Sequence, residues 1–201
     1  GWPINSSSVS MWVKESDWSD FTNVFKMESG DNSDKDLFYS EGGVWKRKLN
    51  ALRGGGGTYN LGNNTLTNNQ WHHIVATRDQ NGGPGTGSNT GIIKLYVDGV
   101  LTSTVTGTQN GTMDSTIQWK TEFGRGGGNT GKFVGEYGPI RIFHVELTQS
   151  EVEYEYDMFA LRYKPAGFSA TPGGLSINSA GIIDVSASAS GTYVVLATWT
   201  E

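Results

Sequence analysis

Five groups of residues in this 201-residue chain could carry chemistry, and each demands a particular geometry. The segment Glu151-Val152-Glu153-Tyr154-Glu155 carries alternate carboxylates. On one strand these could form the pair, about 5 Å apart, that double displacement at a glycosidic bond requires. Thr148-Gln149-Ser150-Glu151 just before it is a capping box, however, and on a helix alternate residues point away from one another. No other predicted strand offers two acids at i and i+2. Gly126-Gly127-Gly128-Asn129-Thr130-Gly131-Lys132 spells most of a phosphate-binding loop, but Phe133 stands where a magnesium-binding hydroxyl belongs and a strand follows. The histidines, His72, His73 and His144, lack a serine in a nucleophile elbow, so packing or surface roles are expected of them. Oxygen ligands for a hard cation are offered by Asp31, Asp34 and Asp36 in one loop and by Asp79 with Asn81 in another, without the spacing of an EF-hand. Aromatic rings for stacking on sugars, with a guanidinium for hydroxyls, are available in Trp18, Trp45, Tyr59, Trp119 and Arg125, whereas Trp12 and Trp71 are expected in the core.

The elements that must position these groups are strands. Glycine is abundant at 29 residues, charge is sparse at 17%, and the apolar residues fall in short runs, a profile of an all-β chain with many tight turns. Alternation predicts strands over residues 8–13, 23–27, 36–39, 44–49 and 70–78. The stretch 92–97, Asp98-Gly99 and 100–105 reads as a hairpin. Further strands are expected over 116–123 and 132–145. One helix should run from 148 to about 161, with Val152, Tyr156 and Phe159 forming its apolar stripe. Residues 163–167 read as a linker. The nearly uncharged tail that follows suggests three short strands at 175–177, 181–185 and 191–196, too few residues for a core of their own.

The formal charge of −5 supplies no basic field for nucleic acid or an anionic membrane, and no apolar run spans a bilayer. Without cysteine there are no disulfides or thiolate sites. Sequons at Asn5, Asn63 and Asn110 are no more than a chain this rich in Asn, Ser and Thr yields by chance. The start, Gly-Trp-Pro-Ile-Asn, has no leader-like features and no initial Met, which suggests a processed chain or a piece of a longer one.

Five segments in order resemble the laminin-G-like branch of concanavalin A-like jelly rolls: Val9-Ser10-Met11-Trp12-Val13-Lys14, Trp71-His72-His73-Ile74-Val75-Ala76-Thr77, Leu95-Tyr96-Val97-Asp98-Gly99-Val100-Leu101, the stretch 133–145, and Leu147-Thr148-Gln149-Ser150-Glu151-Val152. The resemblance implies an antiparallel jelly-roll sandwich over residues 1–165, followed by a small β extension over 166–201. With the carboxylate, phosphate-loop and histidine motifs set aside, a non-catalytic module with no required cofactor is expected, and the resemblance adds calcium at a rim as the alternative. Relatives place a strand before the first of these segments. Only seven residues precede the strand 8–13 here, so that earlier strand is expected to be missing, short or supplied from elsewhere. The tail resembles part of bacterial or phage immunoglobulin-like repeats in its Ile-Asn-Ser-x-Gly-x-Ile-Asp and Gly-Thr-Tyr-Val-Val phrases. Together these features lead us to expect a structural or adhesion subunit of a virion or surface assembly, such as a phage capsid decoration, head fibre or tail protein. That role would bring homo-oligomers or other subunits as partners. The alternative is an extracellular carbohydrate-binding module, with Trp45, Tyr59, Trp119 and Arg125 as its ligand residues.

Overall fold

The computed structural model describes residues 6–18, 22–29, 35–50, 57–63, 65–81, 89–109, 119–124, 132–163, 166–171, 173–177 and 183–199. Among the described residues twelve strands and one helix follow in chain order. They are β1 (Ser6–Glu15), β2 (Thr22–Ser29), β3 (Lys35–Glu41), β4 (Val44–Asn50), β5 (Gly57–Asn63), β6 (Trp71–Asn81), β7 (Asn89–Val97), β8 (Val100–Gln109), β9 (Trp119–Phe123), β10 (Gly135–Phe143), α1 (Gln149–Tyr163), β11 (Ala166–Thr171) and β12 (Val194–Trp199). The chain divides into two compact units, residues 1–155 and 156–201, with the boundary inside α1.

The first unit is an antiparallel sandwich. Its back sheet runs β10-β1-β6-β7-β8 and its front sheet β5-β4-β3-β2-β9. Period-two alternation sends Val9, Met11, Val13, Ile74, Ala76, Ile93 and Leu95 of the back sheet inward against Phe25, Met27, Phe38, Trp45 and Leu61 of the front sheet. The outer face of the back sheet is apolar too, because Val75 and Tyr96 are buried there under Leu147 and Val152. Both faces of the Trp-His-His strand are therefore covered, as its pattern anticipated. On the side away from β6, β1 pairs with β10 from Ser8↔Phe143 to Glu15↔Gly135. Only glycine fits at 135, since a Cβ there would meet the Lys14 carbonyl oxygen at 1.9 Å.

The Asp98-Gly99 turn is the expected hairpin, with both residues at positive φ (49° and 83°). The capping box also forms: the Thr148 amide and hydroxyl reach Glu151 Oε2 at 2.7 and 2.8 Å. One strand escaped the sequence reading altogether. Gly57–Asn63 is poor in strand formers, and only Tyr59 and Leu61 mark its alternation.

The second unit differs from expectation. Residues 166–171, predicted in part as linker, form β11, which pairs with β12 from Ala166↔Trp199 to Thr171↔Val194. The helix ends at Tyr163, and Ala-Gly-Phe-Ser-Ala-Thr extends readily once β12 supplies a ladder. Among the described residues the predicted strands at 175–177 and 181–185 show a single bridge, Ile177↔Ile183, with residues 181 and 182 lying outside the described ones. Asp184 explains this, because its Oδ1 accepts the amides of Ser186 and Ala187 at 3.0 and 3.2 Å and turns the chain.

Candidate functional site

Among the described residues the outer face of the front sheet is largely polar, although it also carries Leu37 and Tyr39. Its residues alternate with the core set, so the register places Glu122, Lys26, Leu37, Lys48 and Thr58 in one row across β9, β2, β3, β4 and β5. A parallel row holds Tyr39, Lys46 and Asn60. At the centre Lys26 Nζ lies 2.7 Å from Glu28 Oε2 and 2.9 Å from Glu122 Oε2, gathering carboxylates from two strands around one ammonium. Burial by itself would lower the Lys26 pKa, but the hydrogen bonds and charges of Glu28 and Glu122 prevail and hold it above the usual lysine value. Towards the edge Lys46 pairs with Glu41 at 2.7 Å, while Thr58 and Asn60 are exposed. Such a face offers ammonium and amide donors beside carboxylate acceptors in rows whose neighbours stand about 4.8 Å apart, a chemistry suited to a ligand dense in hydroxyls.

Among the described side chains, none of the ligand residues proposed from sequence reaches this face. Trp45 is corrected: it is 1% exposed, stacked on Phe38 at 4.9 Å in the inter-sheet core, so no sugar can reach it. Trp18 is likewise buried and packs on Trp45 at 5.3 Å. Tyr59 points inward and packs against the same core. Trp119 opens β9 opposite Ser29, but its side chain, like the whole of Arg125, lies outside the described residues.

The cation set does not assemble either. Asp36 is 0% exposed and clamped by Arg47, whose Nε and Nη2 reach its two oxygens at 2.8 and 2.6 Å, leaving no face for calcium. Arg47 Nη1 also donates to the Thr77 carbonyl oxygen at 2.9 Å, tying front sheet to back. Asp79 alternates with inward Arg78, so it stands on the outer side of the back sheet, where it accepts from Ser6 Oγ at 2.8 Å. Asp36 and Asp79 thus lie on opposite sides of one sheet and cannot share an ion. Asp31, Asp34 and the side chain of Asn81 lie outside the described residues. Among the described residues no three His, Asp or Glu side chains gather as metal ligands.

Both strand histidines have structural duties. His72 Nε2 accepts the Thr67 amide at 3.2 Å, so its proton is on Nδ1 and is donated to Asp98 Oδ2 at 2.9 Å. The same carboxylate accepts the His73 amide at 2.9 Å, and the Trp-His-His strand thereby fixes the hairpin turn. His73 itself stacks on Trp12 and holds Ser10 Oγ at 2.9 Å, while Glu155 Oε2 lies 3.5 Å from that oxygen and Arg141 pairs with Glu155 at 2.8 Å. Serine, histidine and glutamate do meet here, but in the wrong order. The acid faces the serine rather than the imidazole, Ser10 is 3% exposed, and burial lowers the His73 pKa to about 4, too weak for a general base. Glu153 and Glu155 fall on α1 as the capping box required, with Glu153 exposed and Glu155 buried.

Sequence reasoning missed Lys26, Glu28 and Glu122. The signal was present in Phe25-Lys26-Met27-Glu28, whose alternation assigns both charged residues to the face opposite the core, but the partner carboxylate arrives from nearly a hundred residues away.

Solved structures with this fold include the heptameric SAP-like pentraxin of Limulus polyphemus (TM-score 0.51, 14% identity, covering 76% of this chain and 70% of that one). Domain 4 of AbnA, an extracellular arabinanase from Geobacillus stearothermophilus solved with arabinotriose, gives 0.54 at 18% identity, covering 76% and 67%. Domains LG4-5 of the mouse laminin alpha1 chain give 0.52 at 13%, covering 73% of this chain but only 38% of that one. A search of the curated proteins finds no match. The family model for laminin-G-like domains of the concanavalin A-like lectin/glucanases superfamily matches residues 2–153, most of the chain and nearly all of the sandwich, and the chain belongs to that family.

Proposed function

We propose that this chain is a non-catalytic binding module, displayed outside a cell, that presents the outer face of its front sheet to an oligosaccharide. The observation that carries this reading is the Glu122–Lys26–Glu28 cluster, flanked by Lys46, Lys48, Thr58 and Asn60, on the outer face of the front sheet. The likeness to a domain solved with arabinotriose supports an oligosaccharide as the ligand class.

The test is a glycan array followed by titration calorimetry of the strongest hit and of arabinotriose, with wild type, Lys46→Ala and Asn60→Ala, each with and without a chelator. We expect binding that either substitution weakens. The absence of any glycan hit would overturn the reading. Loss on chelation would assign a calcium site to the segment holding Asp31 and Asp34. A second reading, a structural or adhesion subunit of a particle such as a virion, is favoured by one observation: the uncharged strand edges along one side of the sandwich.

A further inference from the structure

His72 stands where four segments meet at one end of the sandwich: β6 itself, the turn 67–70, the Asp98-Gly99 turn and the end of β1. Its Nε2 accepts the Thr67 amide at 3.2 Å and its Nδ1–H donates to Asp98 Oδ2 at 2.9 Å, so both ring nitrogens are committed and the ring carries one proton. The turn that it holds makes two further ties. The Asn69 amide donates to the Glu15 carbonyl oxygen at 2.7 Å, with Asn69 itself at φ +60°, and Asn68 Oδ1 accepts the Trp18 amide at 3.0 Å. Trp18 packs on Trp45 at 5.3 Å, and Leu66, just before the turn, packs on the same core. The closing bond of the turn, from the Gln70 amide to the Thr67 carbonyl oxygen, is 3.4 Å long and weak, so the Thr67–His72 bond supplies much of its hold.

A second proton affects the two contacts of the ring differently. It can only go to Nε2, where it turns the acceptor of the Thr67 N–H into a second donor pointed at that N–H. The Asp98 contact survives and gains charge. Asp98 is itself secured, since its Oδ1 accepts the His73 amide at 2.9 Å and Gln149 Nε2 donates to the neighbouring Gly99 carbonyl oxygen at 2.7 Å. The charged and titratable groups on the elements around the ring are Asp98 on the hairpin, Lys14 and Glu15 on β1, and Asp17 just beyond it. Lys14 is paired with Glu136 of β10, and Glu15 accepts the Ser16 and Val134 amides. Residues 65–70 carry no charge, and His73 lies on the other face of β6. We propose that His72 is an acid-operated latch: with one proton the ring ties the turn 67–70 shut, and with two it releases that turn and its hold on the Trp18 amide, while the hairpin at Asp98 stays fixed.

The test is magnetic resonance of the isotope-labelled full chain between about pH 8 and 5, the range in which histidine acts as a switch. The His72 ring nitrogens report protonation, and the amides of Thr67, Asn69, Trp18 and His73 report exchange protection, corrected for the intrinsic effect of pH. We expect protonation of His72 to bring a loss of about tenfold in protection at Thr67, the equivalent of one hydrogen bond, with smaller losses at Asn69 and Trp18 and none at His73. In His72→Gln, which has no ring to protonate, protection at Thr67 should no longer vary with pH. Three results would overturn the proposal: a ring that takes up its second proton with Thr67 still protected, a ring that keeps one proton throughout the range, or a His73 amide that loosens as much as Thr67. If His72→Gln fails to fold, the wild-type titration decides alone.

Discussion

Arg47 with Asp36, and Lys26 with Glu28 and Glu122, are built from the same elements, a side-chain cation gripped by carboxylates across neighbouring strands, but they sit on opposite faces of the front sheet. Inside, the guanidinium and carboxylate side chains are 1% and 0% exposed, the contact is bidentate, and the remaining donor is used by a carbonyl of the facing sheet. Outside, Lys26 and Glu28 are each 11% exposed and Glu122 30%. A planar fork locked at this depth can only hold structure. An ammonium on a flexible stem, near water, can exchange one carboxylate for a ligand hydroxyl. Depth and donor geometry separate a structural ion pair from one available for recognition.

The largest effect should follow from breaking the inner pair. Asp36→Ala leaves Arg47 buried without its carboxylate and should cost about 3–5 kcal/mol in urea unfolding. An equal loss from Lys26→Met would erase the distinction between the two assemblies. A buried group of intermediate size lies on the back sheet. The folded chain holds the His73 imidazole neutral down to about 4, while the unfolded chain takes up that proton near the ordinary value of 6.5. The unfolded state therefore binds more protons across this window, and stability should fall by roughly 3 kcal/mol as pH drops from 6.5 to 4. His73→Phe should flatten that part of the profile. Lys26→Met should cost only about 1 kcal/mol in stability while abolishing ligand binding, a separation that sharpens the comparison. The smallest effect belongs to Glu151, fully exposed, whose carboxyl is held below its ordinary 4.5 by the Thr148 amide. Its contribution is present above that pH and fades as the carboxyl protonates. Glu151→Gln should lower the melting temperature slightly at neutral pH and not at all in strong acid.

The sandwich was readable because its signals are local. The alternation of Ser8 to Val13, the Asp98-Gly99 turn and the Thr148–Glu151 box each need only a few neighbouring residues. The site was not, because it depends on register: Lys26 and Glu122 are neighbours only once β2 pairs with β9. Trp45 and Asp36 misled for a related reason. Aromatic and acidic residues next to turns look available until the parity of their strand is known, and both have inward parity. The tail was misread where Asp184 turns the chain between residues that propensity alone would extend.

The most direct test of the central claim, that the front sheet's outer face is the recognition surface, is amide shift mapping of an isotope-labelled chain titrated with the glycan selected on the array. The account predicts changes concentrated at residues 26, 28, 46, 48, 60 and 122. Changes confined to the β8 edge or to the helix-covered back sheet, with those six residues unmoved, would contradict it.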